Sequence, residues 1–423
     1  MGFRDLVDGI RTVKDPVSVN YDMKIASESS GNEPLLFSEI RESPGQRAVT
    51  NILTRHRLCE AFNVEPGELI DILSWAMENP SDTVLVGVDS APVLENKMEH
   101  TDISVLPIPW HYREDGGRYQ SSSIIVAQYG GQRNTSFHRQ LLKGPDRTTV
   151  RLVPRHLRTM ADQAFENNED VPIAVVNGPD PLVLLAAAMS FNEPIDELRV
   201  ASALHERLYG AKLGLVELPN GVQVPAESEY AMEARITTKL DDEGPYVDIT
   251  GTVDDIRQEP VIEYDSIYHR KDPIFHALIP AGVEHMTLMG MPRAPTIKTA
   301  VSEVVTCTDV YLTDGGSGWL SSVVQIIPEN SGDSMRAIRA ALDGHKSMKQ
   351  VIVVDTDIDV TNSTRVEWAL MTRWQPDKDT LILSDQKGSS LDPSRSPDGT
   401  TSKIGFDATI EPGADKTPFE SVL

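Results

Sequence analysis

Apolar positions recur at helical spacing along the first hundred residues and then give way to short β-rich runs. Residues 3–13 and 46–61 carry the helical pattern, and 68–78 continues it behind Pro66, a residue suited to the first turn of a helix. Residues 83–88 read as a short strand. From about residue 102 the texture changes: 119–128, 148–152, 172–176, 213–218 and 233–249 alternate or run apolar between Gly, Pro, Asn and Asp, which predicts strands. Two helical patterns, 181–189 and 195–208, interrupt them. After a helix at 296–306, strands at 321–327, 350–354 and 380–383 alternate with helices at 334–342 and 365–372, the pattern of a parallel α/β layer. Residues 384–402 read as loop. The expectation is a multidomain α+β and α/β chain. Its parts are an N-terminal α+β domain over 1–104, a β-barrel with inserted helices over 105–290, a linker helix over 291–307 and a C-terminal α/β domain over 308–423. The tail past Pro412 is expected to be mobile or to dock on a partner.

Composition narrows the classes. A length of 423 residues exceeds one ordinary core, in keeping with two or three domains. No apolar run is long enough to span a bilayer, and the N-terminus has acidic residues where a signal peptide would be apolar, so a soluble cytoplasmic protein without membrane insertion is expected. Cys59 and Cys307 stand alone and suggest buried thiols rather than a disulfide or zinc site. With 39 Lys and Arg against 64 Asp and Glu, the net charge of −25 repels phosphate backbones and argues against a nucleic-acid partner.

Two short segments carry the chemistry. Asn134-Thr-Ser-Phe-His-Arg139 offers a guanidinium that can grip a carboxylate through two parallel hydrogen bonds, and Glu243-Gly-Pro-Tyr-Val-Asp248 offers two acids five residues apart. Such a set can hold a carboxylate while a proton moves onto or off the neighbouring carbon. His156, with Asn134 and Glu197, would make a mixed oxygen and nitrogen set that suits Mn²⁺ or Mg²⁺, although spacing alone does not single these three out. Taken singly, each is more often structural: an Arg in a polar loop, a Glu-Gly-Pro turn, a capped loop histidine. Asp355, Asp357 and Asp359 lack the Gly and distal Glu of a calcium loop.

In order along the chain, these segments resemble the UbiD family of prenylated-FMN-dependent decarboxylases. The resemblance rests on Asn134 to Arg139, Arg155-His156, Pro194-Ile-Asp-Glu-Leu-Arg-Val-Ala-Ser, Glu243 to Asp248, Val354-Asp-Thr-Asp-Ile-Asp, Glu367 to Arg373 and Lys403-Ile-Gly-Phe-Asp-Ala-Thr409. It implies a split β-barrel central domain of flavin-reductase type that binds prenylated FMN, with Mn²⁺ (or Mg²⁺) and K⁺ at the cofactor phosphate. Asn134, His156 and Glu197 are the implied metal ligands. Ser136, Phe137, Arg155, Met189 and Lys403 are implied to contact the cofactor, and Arg139, Glu243 and Asp248 to form the catalytic trio. Arg139 would anchor the carboxylate, Glu243 would pair with it, and Asp248, where many relatives have Glu, would donate the proton. The segment from Asn134 to Arg139 looks like that of compact archaeal members, which implies trans-anhydromevalonate 5-phosphate as substrate and isopentenyl phosphate as product. Arg133, His138, His269 and His276 are then expected to serve the phosphate. An aromatic or polyprenyl-hydroxybenzoate acid is the alternative substrate, and a noncatalytic subunit of a carboxylase assembly the alternative role. The family further implies a homodimer or larger homo-oligomer, a hexamer included, and a separate flavin prenyltransferase as cofactor supplier.

Overall fold

The structure, a computed structural model, describes residues 2–191 and 193–419. They form two compact units, Met1–Ala61 with Ala76–His285 and Phe62–Trp75 with Met286–Leu423. Most of the helix opened by Pro66 thus belongs with the C-terminal part of the chain. The expected mobile tail falls partly outside the described residues, at 420–423.

The first unit is built on a large antiparallel sheet. Its strands are β1 (Tyr119–Gln120), β2 (Ile124–Tyr129), β3 (Gln132–Phe137), β4 (Gln140–Gly144), β5 (Arg147–Val150), β6 (Val171–Asn177), β7 (Tyr230–Glu243) and β8 (Arg257–His269). They pair in the order β1-β4-β5-β8-β7-β6-β2-β3, with Asn96–Lys97 added against β8. No closed barrel is present among the described strands, because the two end strands of the ladder, β1 and β3, are not paired with each other. β3 and β4, far apart in the ladder, nevertheless follow each other in the chain, linked only by His138 and Arg139. Six inter-strand steps would separate them by about 29 Å in a flat sheet, whereas three Cα steps reach at most about 11 Å. The sheet must therefore curl to bring β3 back towards β4, and Arg139 sits in the short connection between them.

Side-chain alternation fills the inside of this curl. Tyr230, Met232, Ala234 and Ile236 of β7 point into one buried cluster with Ile173 and Val175 of β6 and Ile262, Tyr264 and Ile267 of β8. Helix α1 (His156–Glu166) joins the same core through Leu157, Met160, Ala161 and Ala164, the spacing of one helical face. Helix α2 (Pro181–Ala188) is apolar all round and buried all round, started by Asp180, which accepts the Leu182 N–H at 2.8 Å. Helix α3 (Glu197–Tyr209) starts on Asp196, which accepts the Leu198 N–H at 3.1 Å, and stops on left-handed Gly210. A smaller sheet of Arg11–Val13, Leu35–Phe37, Arg47–Thr50 and Ile274–His276 completes the unit, beside a three-stranded sheet that includes Val84–Leu85.

Local pattern and fold part company in places. Residues 3–13 are a helix, Phe3–Val7, followed by a strand, and 46–61 split into the strand Arg47–Thr50 and the helix Arg55–Phe62, with Asn51 at φ 59° between them. The strand forms because it is hydrogen-bonded on both sides, to Leu35–Phe37 and to Ile274–His276. The strand expected over 233–249 ends at Glu243, where Gly244 takes φ 101°. A Cβ there would lie 2.8 Å from the Asp255 carbonyl oxygen, so the Glu-Gly-Pro turn requires glycine.

The second unit holds a five-stranded sheet ordered Thr306–Leu312, Ser321–Ile327, Gln350–Asp355, Thr400–Ala408 and Thr380–Lys387. Its three central strands are parallel, as expected of an α/β layer, and each edge strand is antiparallel to its neighbour. Gly405 lets the helix Asp333–Gly344 close on this sheet, since a Cβ would lie 2.1 Å from Ile338 Cγ2. The residues that resembled a calcium loop are structural: Asp355 and Asp357 each accept a 3.0 Å bond from Arg373, and Asp359 caps the Thr361 N–H.

Candidate active site

Arg139 reaches from the connection between β3 and β4 into a ring of acids. Its Nε and Nη2 donate to the two oxygens of Glu243, both at 2.9 Å, in a side-on fork. Nη1 donates to Asp248 Oδ2 at 2.9 Å, and Nη2 also donates to Asp254 Oδ2 at 2.7 Å. The Tyr246 ring lies under the guanidinium, 4.6 Å from its carbon. Side-chain exposure grades the acids: 0% for Glu243, 24% for Asp248 and 27% for Asp254, around an arginine at 9%. Burial alone would weaken the guanidinium's charge, but Glu243, Asp248 and Asp254 outweigh it and hold Arg139 more firmly protonated than usual.

The acids are placed by backbone. Glu243 ends β7, and Asp248 follows Tyr246–Val247, which pairs with Val253–Asp254 in a small hairpin closed by the Asp248 N–H to the Thr252 carbonyl at 3.0 Å. Asp115 fastens that hairpin by accepting the Val247 N–H at 2.8 Å. Burial pushes the Asp115 carboxyl up to about 6, against the pull of the two N–H groups it accepts. Tyr119 donates to Glu243 Oε1 at 3.1 Å. Asp254 was not anticipated from the sequence. It bridges Arg139 and Arg257, whose Nη2 donates to Oδ1 at 2.7 Å. Burial acts to raise the Asp254 carboxyl, but the two guanidiniums prevail and lower it to about 2. The signal was present as Val247-Asp248 and Val253-Asp254, two copies of one dipeptide flanking a Thr-Gly turn.

A second cluster lies on β3 and the helix starts. Glu197, the first residue of α3, reaches back to β3, where Oε1 accepts Asn134 Nδ2 at 2.9 Å and Oε2 accepts the Thr135 N–H at 2.7 Å. Burial, only partly opposed by these donors, pushes Glu197 up to about 8, as befits a carboxyl enclosed without a counter-cation. Ser136 Oγ lies 2.9 Å from Asn134 Oδ1 and 3.0 Å from His138 Nε2. His138 Nδ1 faces the Arg151 carbonyl at 3.0 Å and so carries the ring proton, and burial lowers the imidazole to about 4. Ser136 thus has one proton for two acceptors. A cation on Asn134 Oδ1 would remove the conflict. His156 is not a loop residue but the first residue of α1. Its neighbour Arg155 donates to Ser190 Oγ at 2.6 Å, has no carboxylate partner among the described residues, and acts electrostatically on His138.

Phe137 is half-buried on β3, and Met189 is buried directly after α2. Lys403 belongs to the second unit, where it is buried with Nζ donating to the Lys346 carbonyl at 2.5 Å, and burial lowers its pKa. The cations expected to await a phosphate are engaged elsewhere. Arg133 is forked onto Asp196 and also binds Gln223, His138 is committed as above, His269 contacts its neighbour's carbonyl, and His276 pairs with buried Glu284 at 2.9 Å. No cluster of three or more His, Cys, Asp or Glu suited to a metal occurs among the described residues.

Comparison with known proteins gives the site a context. Residues 84–283 match the family model of the 3-octaprenyl-4-hydroxybenzoate carboxy-lyase Rift-related domain, and 286–408 that of the corresponding C-terminal domain. The chain is 40% identical over 420 residues to the anhydromevalonate phosphate decarboxylase of Methanosarcina mazei, covering 97% of this chain and 96% of that protein. The UbiD-class enzyme HmfF from Pelotomaculum thermopropionicum, solved with FMN, superposes at a TM-score of 0.94 with 32% identity, over 100% of this chain and 97% of that one. An evolved dimeric form of HmfF, solved with prFMN, gives 0.88 and 30%, over 100% and 99%. No described helix is long and apolar enough to cross a membrane.

Proposed function

The chain belongs to the UbiD family of decarboxylases, and from that premise we propose that it removes CO₂ from trans-anhydromevalonate 5-phosphate to give isopentenyl phosphate. The observation that carries the reading is Arg139, an arginine in the short connection between β3 and β4 whose fork is fixed by Glu243 while a second acid, Asp248, meets it from a separate hairpin. Near-full-length identity to an enzyme named for that substrate supports the choice over an aromatic acid.

Charge counting assigns the acids. Glu243, Asp248 and Asp254 face two guanidiniums, Arg139 and Arg257. A substrate carboxylate adds a fourth negative charge, so one acid must hold a proton when substrate binds. Asp254 is held ionised by two arginines, and Glu243 is fully enclosed with both oxygens accepting from Arg139. Asp248 gives Arg139 one oxygen only and, unlike Asp254 on the same hairpin, meets no second guanidinium among the described residues. Protonating Asp248 loosens its bond to Nη1, which frees that donor for the substrate's carboxylate. Arming the proton donor and opening the anchor are thus one event. Once CO₂ has left, Asp248 passes its proton to the carbon that carried it.

The second cluster fits a metal and a flavin phosphate. Asn134 Oδ1, Glu197 and His156 would hold Mn²⁺ (or Mg²⁺), with K⁺ beside it, and Arg155 would meet the phosphate. Ser136, Phe137 and Met189 would lie against the cofactor. Prenylated FMN, when bound, supplies the electron sink for the pair left by CO₂. A homo-oligomer and a separate flavin prenyltransferase complete the proposed setting.

The reading is tested by incubating cofactor-loaded protein with trans-anhydromevalonate 5-phosphate and with aromatic acids, measuring CO₂ and product. Turnover of the phosphorylated acid alone is expected; preference for an aromatic acid would overturn the substrate, and no turnover of any unsaturated acid the enzyme reading. Glu197→Gln, nearly isosteric, is expected to weaken Mn²⁺ binding by about 100-fold or more while the protein stays folded. Metal content after dialysis checks this, and undiminished Mn²⁺ would remove Glu197 from the ligand set.

A further inference from the structure

The donors of Arg139 are nearly all taken. A guanidinium has five N–H groups and two edges that can grip a carboxylate in a fork. Glu243 holds the edge made by Nε and Nη2. The other edge, made by Nη1 and Nη2, is already shared, Nη1 donating to Asp248 and Nη2 to Asp254. A proton on Asp248 frees only half of that edge. The other half is blocked by an acid that stays ionised.

We propose that Asp254 is a positioning residue that competes with the substrate's carboxylate for Arg139, and that Arg257 is the alternative partner that lets Asp254 give way. The geometry supplies both parts. Asp254 Oδ2 accepts from Arg139 at 2.7 Å while Oδ1 accepts from Arg257 at 2.7 Å, so releasing one guanidinium leaves the carboxylate still paired with the other. Arg257 can follow, since among the described residues its side chain's one other bond is from Nη1 to the Asp255 carbonyl at 3.0 Å and the side chain is 35% exposed. Asp254 and Asp248 sit on one hairpin, fastened at Val247 by Asp115, so the backbone couples the two acids. The consequence is selectivity by displacement. A ligand gains the full fork only if its carboxylate outcompetes Asp254, which an uncharged ligand, or one whose carboxylate cannot reach the edge, does not do. Asp254 also keeps the negative count high enough that substrate entry requires the proton on Asp248.

The proposal rests on Arg139 as the carboxylate anchor, and the experiment separates the two. In the cofactor-loaded enzyme, KM, kcat and the inhibition constant of a saturated carboxylate analogue of the substrate are measured for Asp254→Asn, Arg257→Gln and the double variant. Asp254→Asn keeps the shape and removes the competing charge, so KM and the inhibition constant should fall by roughly tenfold, and kcat should fall as well because Asp248 is no longer driven to hold its proton. Arg257→Gln leaves Asp254 with Arg139 alone, so KM and the inhibition constant should rise by several-fold. In the double variant the Arg257 effect should vanish, because the competitor it serves is gone. A merely structural pair would raise KM in all three. Overturning results are an unchanged or higher KM in Asp254→Asn, a lower KM in Arg257→Gln, or an Arg257 effect that persists without Asp254. Should Asp254→Asn fail to fold, Arg257→Gln and the charge-retaining Asp254→Glu, which should keep the wild-type KM within about twofold, carry the test. If Arg139→Ala abolishes analogue binding while these variants do not move it as stated, the competition fails and the anchor stands. Analogue binding that survives Arg139→Ala refutes the anchor itself.

Discussion

Arg139→Ala is expected to lower kcat/KM by roughly 10³-fold or more while flavin content stays near that of the unaltered protein. The first part follows from losing a charge-assisted fork to the substrate and the positioning it gives, each worth several kcal/mol, at about 1.4 kcal/mol per tenfold in rate. The second follows because, of the groups proposed to hold the flavin and its metal, Asn134 bonds to Glu197 and Arg155 to Ser190, and neither contact involves Arg139. The substitution also leaves Glu243 enclosed without its partner, a loss on the order of 3–5 kcal/mol for a broken buried pair. A lower melting temperature must therefore accompany lost turnover. Arg139→Ala combined with Glu243→Gln separates the effects: removing the stranded charge should recover most of the melting temperature and none of the turnover. Arg139→Lys keeps the charge but cannot fork, and should fall between. Decarboxylation at a normal rate by folded Arg139→Ala would refute the anchoring role.

The sequence exposed the parts of this site that are local. Asn134 and Arg139 lie on and just beyond one strand, Glu243 and Asp248 flank one turn, and each pair could be read from a few neighbouring residues. What it hid was set by pairing between distant segments. Asp254 joins Arg139 because a hairpin turns it back beside Tyr246, and only the repeated Val-Asp hinted at that. Arg257 matters because it neighbours Asp254, and the strand it starts went unread. β8 carries Pro260 among Glu259, Glu263 and Asp265, so its apolar alternation is broken, and it forms because β5 and β7 bond to it on either side. The same cause undid the helix expected over 46–61, whose strand portion is held by segments about ten and more than two hundred residues away. Isolated apolar helices such as Pro181–Ala188 were legible because nothing distant competes with their pattern. Phosphate recognition failed for a related reason. In the sequence Arg133, His269 and His276 look like available cations, but availability depends on partners such as Asp196 and Glu284 that sequence spacing does not reveal.

Asp248→Asn should separate proton delivery from anchoring, with a loss of about 10²–10⁴ in kcat, the usual contribution of a positioned general acid. Asparagine copies the shape of a protonated aspartic acid without a proton to give. Nη1 of Arg139 would no longer face a carboxylate there, so substrate binding should persist and KM should not rise. The signature is therefore a fall in kcat at constant or lower KM, unlike the anchoring defect of Arg139→Ala. Exchange of the product's carbon-bound hydrogen with D₂O, which needs the acid but not CO₂ release, should fall in parallel and can be followed by NMR. Asp248→Glu restores the acid with one more methylene, and should recover the rate to within about tenfold. Glu243→Gln should behave differently again: it keeps the donor but halves the fork that orients Arg139, so KM should rise along with the loss in kcat. If Asp248→Asn turned over normally while Glu243→Gln lost the exchange reaction, the two acids would have to trade roles. The enclosed Glu243 would then have to lose a bond from Arg139 in order to hold the proton, which its two 2.9 Å bonds from that guanidinium resist.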